Sequence, residues 1–149
     1  MSQFSSLYIA SDHGGFSYKQ AIFEHLRSQG HVIHDLGPFD TASVDYPDFA
    51  SLLAAELKEA HTAGGILVCG SGIGISIAAN RYPWIRAALV HDVTGAHLCR
   101  EHNQANVLAL GERLTGLSTA LDCVDTFINT AFEGGRHEKR VAKLSNPAG

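Results

Sequence analysis

Short apolar runs alternate along the chain with longer stretches in which apolar residues recur every three or four positions. Leu7-Tyr8-Ile9-Ala10 reads as a buried strand, ended by Ser11-Asp12-His13-Gly14-Gly15. Residues 16–29 place Ile22, Phe23 and Leu26 on one helical face, and Gly30 predicts a stop. A second strand is expected over 31–35, followed by a loop over 36–44 that contains Gly37-Pro38. Asp45-Tyr46-Pro47 predicts a helix start, because proline is tolerated in a first turn, and that helix is expected to reach about residue 63. Residues 65–69 form a third strand, which turns tightly through Gly70-Ser71-Gly72-Ile73-Gly74 into a helix ending near Asn80. Further strands are expected over 87–90 and 107–110, with a helix over 93–102 between them. Leu117, Leu121, Val124, Phe127, Ile128 and Ala131 predict a long helix, and 137–144 a last, basic one.

Five strand–helix units in succession predict the α/β class, with a five-stranded parallel sheet covered by helices on both faces. Loops at the carboxyl ends of the strands are then the places for chemistry. Asp12-His13, residues 69–74 and His91-Asp92 all fall there.

Composition narrows the function. The 149 residues suit a single domain, expected to span 1–149, and 45% hydrophobic content is ordinary for a globular protein. A formal charge of -4 argues against nucleic acid as a partner, since such binders carry a basic surface that releases counterions. The three cysteines, Cys69, Cys99 and Cys123, are too widely spaced for a zinc module and cannot all pair within the chain. Reduced thiols and a cytoplasmic location are therefore expected. The opening residues lack the pattern of a secretory signal, and no apolar run approaches the ~20 residues that span a bilayer, so no membrane partner is expected.

The segment from Val68 to Ile75 is the most informative. Three glycines in five residues after a strand let main-chain N–H groups turn inward, and the helix that follows adds its positive end. Such a loop suits a phosphate or the oxyanion of an enediolate. Glycine-rich turns also occur without a ligand, and this one matches neither the P-loop nor the dinucleotide fingerprint. Cys69 stands where a strand end meets a helix start, a position that favours a thiolate. Cys99 and Cys123 fall inside helical patterns with no glycine turn beside them and read as inert core residues.

Several separate motifs then agree. Ser11 to Gly15, Asp45-Tyr46-Pro47, Cys69 to Asn80, Arg100-Glu101-His102-Asn103, Asn106-Val107-Leu108 and Glu133-Gly134-Gly135-Arg136-His137 together resemble type B ribose 5-phosphate isomerases, in order from about Leu7 to Leu144. The resemblance implies a Rossmann-like three-layer sandwich, no metal or other cofactor, and a homodimer, or a dimer of such dimers, with sites at the subunit interface. The helix over 137–144 would pack on the partner subunit. Cys69 resembles the base that moves a proton between C2 and C1. One branch of the family uses a glutamate at the place of Ile75, which here cannot accept a proton.

By the same resemblance, the N–H groups from Gly70 through Gly72 to Gly74 would hold the enediolate oxygen, and Ser71 would meet the sugar near its ring oxygen. His102 would open the ring with Asp12 beside it. His13, Arg136 and Arg140, with Arg113 as a further ligand, would hold the phosphate, while Tyr46 and Asn103 would position the substrate. The spacing of Arg136 and Arg140 would place them on one helical face. The remaining histidines His25, His31, His34, His61, His91 and His97 have no companion motif and read as structural or surface residues.

The function expected is interconversion of ribose 5-phosphate and ribulose 5-phosphate. Tetrose and hexose phosphates are alternatives that neither Cys69 nor the arginines exclude; the loop over 36–45 is where chain length would be read. A phosphate- or nucleotide-binding module would use the glycine loop but leave Cys69, His102 and the arginine pair without a role. A cysteine hydrolase would explain Cys69 but not the phosphate ligands.

Overall fold

The computed structural model describes residues 1–148. Five strands, β1 (Leu7–Ser11), β2 (Ile33–Asp35), β3 (Gly64–Cys69), β4 (Ala87–Leu89) and β5 (Val107–Gly111), form one parallel sheet in the order β2-β1-β3-β5-β4. Six α-helices are described: α1 (Phe16–Ser28), α2 (Tyr46–Leu57), α3 (Ile73–Ala79), α4 (Val93–Glu101), α5 (Leu117–Asn129) and α6 (Glu138–Leu144). This is the expected Rossmann-like α/β sandwich.

Alternation along the central strands divides the core in two. Leu7, Ile9, Ile66, Val68, Leu108 and Leu110 face α1, α4 and α5, where they meet Leu26, Ala96 and Phe127. Ala10, Leu67, Cys69, Val107 and Ala109 face the other way, onto Leu53 and Ala54 of α2 and Ile75 of α3. Because β3 and β5 are covered on both faces, they are apolar throughout rather than alternating. Cys99 and Cys123 lie buried in the first of these cores, as their helical setting predicted.

Two expectations need correction. The helix expected to reach residue 63 stops at Leu57, because the chain must turn back to enter the sheet at Gly64. Thr62 is tied there to Ser5, whose N–H donates to its carbonyl at 2.9 Å. The last helix begins at Glu138, and Arg136 sits before it in a 3-10 turn over Gly135–His137. Arg136 and Arg140 therefore do not share a continuous α-helical face. Among the described residues no helix is long and apolar enough to cross a membrane.

Candidate active site

Chain order reverses between β1 and β3: β2 lies on one side of β1 and the later strands on the other. The helix leaving β1 packs on one face of the sheet and the helix leaving β3 on the opposite face. The loops at their carboxyl ends consequently part, and the opening is a depression lined by Asp12, His13, Tyr46, Cys69, Ser71 and Arg113, with Gly70 and Gly74 in its wall.

Cys69 ends β3 with its side chain on the α3 side, and only 5% of the residue is exposed. The N–H of Gly72 donates to its sulfur at 3.1 Å. Gly72 can aim that N–H inward only because it adopts φ 76, and a Cβ at this position would lie 2.9 Å from the carbonyl carbon of Leu110. The loop after β5 is fastened across the glycine turn, with Glu112 N–H donating to Cys69 O at 3.0 Å and Arg113 N–H to Gly70 O at 2.9 Å. That fastening brings the exposed Arg113 side chain beside Gly70.

The neighbours of the thiol are equally constrained. Asp12 is buried and caps the turn that follows it, its Oδ1 accepting the Gly15 N–H at 3.1 Å. Ser71 Oγ accepts the Ile73 N–H at 3.1 Å. The ring of Tyr46 lies across Gly74, where a Cβ would come within 2.6 Å of Cζ. Ile75 is fully buried and packs in the core instead of reaching the depression.

The other expected residues gather elsewhere. His102, Asn103 and Arg140 line a second depression with His137, Val141 and Leu144, and it shares no lining residue with the first. The imidazoles of His102 and His137 stack at 4.4 Å between centroids, 16° from parallel. Glu133 faces both, with oxygens 4.0 Å from His102 Nε2 and 3.6 Å from His137 Nε2, and its Oε1 is 4.0 Å from Nη1 of Arg136. Within one chain the expected pairing of Asp12 with His102 is not made, because the two residues belong to different depressions.

Glu133 and His137 were not singled out as site residues from the sequence. Their four-residue spacing inside Glu133-Gly134-Gly135-Arg136-His137 was the available signal. The segment is held by buried Arg100, whose guanidinium donates to Thr130 O and Ala105 O at 3.1 and 2.6 Å. Burial lowers the pKa of that group, and the two carbonyls with the facing ring of Phe4 compensate for its lost water.

Of the six remaining histidines, His25 and His97 pair with Asp125 and Glu101 at 2.8 and 3.0 Å, and His34 stacks on Tyr8. A further groove lies between residues 80–88 and the C-terminal segment. Asn80 there bonds both main-chain groups of Ala87, and Arg86 donates to Gln104 O.

Residues 7–144 match the Ribose/Galactose Isomerase family. The chain belongs to that family. It is an aldose–ketose isomerase by that membership, and its relatives are similar over nearly their whole length. Ribose-5-phosphate isomerase B of Escherichia coli is 42% identical over 134 residues, which are 90% of each chain. The solved structure of ribose-5-phosphate isomerase B from Clostridium thermocellum is 48% identical with a TM-score of 0.92, covering 94% of this chain and 95% of that one. That of the Mycoplasma genitalium ribose-5-phosphate isomerase B with bound ribulose-5-phosphate is 43% identical with a TM-score of 0.91, covering 94% and 93%.

Proposed function

We propose that this family member interconverts ribose 5-phosphate and ribulose 5-phosphate through an enediolate, with Cys69 as the base. The observation that carries the reading is the Gly72 N–H directed at the Cys69 sulfur on the floor of the switch-point depression. That amide is placed to stabilise negative charge on the sulfur when Cys69 acts as the base. The thiolate takes the proton from C2 of the open-chain aldose, and the electron pair moves through the C1–C2 bond onto the carbonyl oxygen at C1. The main-chain N–H groups of Gly70 and Gly74, in the same loop, stabilise that oxygen. The hydroxyl proton on the C2 oxygen passes to the oxygen on C1, and the thiol returns its proton to C1 as the C2 oxygen becomes the ketone, so C2 is oxidised and C1 reduced with no net change.

The phosphate is assigned to His13 and Arg113 beside the thiol, to Arg140 at the other depression, and to Arg136, which lies outside that lining beside Glu133. His102 is assigned to ring opening. One substrate needs both the base and the ring-opening group, yet a single chain separates them. A homodimer in which one subunit's His102 depression faces its partner's Cys69 depression meets this requirement, and it leaves room for the expected Asp12–His102 pairing between chains. Exposed Leu144 in the His102 depression and exposed Ile73 in the Cys69 depression are apolar surface suited to that contact.

The test is a direct assay on four-, five- and six-carbon aldose phosphates, with Cys69→Ser alongside. Preference for ribose 5-phosphate, with loss of at least about a thousandfold in kcat for Cys69→Ser, is expected, because a serine hydroxyl is a far weaker base. Activity in that variant near the wild-type rate removes Cys69 from the mechanism. Turnover of only a tetrose or hexose phosphate keeps the chemistry and changes the substrate.

A further inference from the structure

His13 stands at the rim of the Cys69 depression on the loop that ends β1, and its imidazole is held from behind. The main-chain N–H of Val44, 31 positions along the chain, donates to His13 Nδ1 at 3.1 Å. A ring nitrogen that accepts a hydrogen bond carries no proton, so the neutral imidazole holds its proton on Nε2. The nitrogen left available to a ligand is then a donor.

The loop that brings Val44 here is fastened at its root by an ion pair that the isomerisation chemistry does not use. Lys19 of α1 is fully buried, and its Nζ lies 2.9 and 2.7 Å from the two carboxylate oxygens of Asp35 at the end of β2. Asp35 Oδ1 also accepts the Gly37 N–H at 2.8 Å, and Gly37 O accepts the N–H of Ser11 at 3.1 Å, two residues before His13. The rings of Phe16 and Phe39 close over the ammonium at 5.1 and 5.7 Å. Apolar residues commonly replace a buried ion pair without loss of stability, so stability alone does not account for this one. Its geometry accounts for the position of the loop: both carboxylate oxygens are engaged, and one also grips the first turn of the chain leading to Val44.

We propose that the Val44 amide is a positioning group for the active site: it confines His13 to the Nε2–H tautomer, as a fixed donor to the substrate's phosphate, and the Lys19–Asp35 pair holds the loop that carries it. The inference rests on His13 being a phosphate ligand. Without the Val44 donor the ring is free to turn and to place its proton on either nitrogen, so only part of the population offers Nε2–H to the anion. The cost is that of weakening one hydrogen bond, about a three- to tenfold loss of affinity, and it falls on binding because the phosphate is held equally throughout the reaction.

Two variants of the full chain test this, each examined by nitrogen-15 NMR of the His13 imidazole, by the affinity for inorganic phosphate and by steady-state kinetics. Val44→Pro deletes the N–H without touching His13. It is expected to convert the single Nε2–H signature into a tautomer mixture, to raise KM and the phosphate Kd about three- to tenfold, and to leave kcat within about twofold. The double variant Lys19→Met/Asp35→Asn removes both charges together and strands neither. It is expected to fold and to reproduce the NMR change and the rise in KM, a result that a purely structural ion pair would not give.

A wild-type His13 protonated on Nδ1 overturns the proposal without any variant. So does a folded Val44→Pro protein with unchanged KM and phosphate affinity. An unchanged His13 signature in the double variant removes Lys19 and Asp35 from it. Should the wild type isomerise none of the sugar phosphates, the assigned function fails, while the tautomer and phosphate measurements still decide the role of Val44.

Discussion

Gly72→Ala separates the geometry of the thiol loop from its mere presence. Gly72 sits at φ 76, where an alanine costs about 1–2 kcal/mol relative to glycine. Its Cβ would also fall 2.6 Å from Leu89 Cδ1 and 2.9 Å from the carbonyl carbon of Leu110. The leucine methyl can rotate away, but Leu110 is fixed opposite Val68 in the sheet, so the loop has to move. Overpacking of this kind adds roughly 1–3 kcal/mol, for a total near 3 kcal/mol. In a domain of this size that corresponds to a fall in Tm of about 10 °C.

The displacement also turns the Gly72 N–H away from Cys69, and losing one preorganised donor of this type costs about a hundredfold in kcat. Calorimetry and initial rates on the same protein measure both effects. Gly74→Ala is the internal comparison: its Cβ meets only the tip of the Tyr46 ring, which can swing out. That variant should keep its Tm, because alanine is about 1 kcal/mol better than glycine within a helix, while KM rises. A Gly72→Ala protein that melts within about 2 °C of wild type and keeps its kcat refutes the account of the loop.

Burial raises the thiols of Cys99 and Cys123 from 9.0 to about 11. Iodoacetamide near pH 8 should therefore label Cys69 alone in the native protein, with mass spectrometry locating the adduct; labelling of either helical cysteine contradicts the assignment. Because the native state holds those two protons more tightly than the unfolded chain, stability should decline as pH rises from 9 through 11, a trend that Cys99→Ala/Cys123→Ala should flatten in thermal melts. Gly116 is the N-cap of α5 in extended conformation, with no side-chain cap and nothing within 4 Å of where its Cβ would stand. Gly116→Ser should supply the missing acceptor and raise Tm by about 1 °C, and a fall in Tm would show that the open space is illusory.

Local pattern determined a large part of this protein. Runs such as Gly65 to Cys69 and the spaced residues Leu117, Val124 and Phe127 each report which side of an element is apolar, and that depends only on residues within a turn or two. The alternation of such elements fixed the parallel α/β sandwich, and a strand followed by clustered glycines located the turn beside Cys69. The resemblance to a family then supplied roles that no periodicity carries.

Tertiary structure decided what lies next to what. β5 inserts between β3 and β4, and the loop it brings lies across the glycine turn. The expected site residues other than Gly72 and Arg136 divide between two depressions on one chain, because the segments bearing Cys69 and His102 are fixed by different packing partners. Lys19 is an ordinary charged residue in the sequence, and only the arrival of Asp35 from β2 makes its burial tolerable. Contacts such as that of Val44 with His13 depend on closing a long loop, which is governed by how the whole chain packs and leaves no periodic trace in the residues themselves.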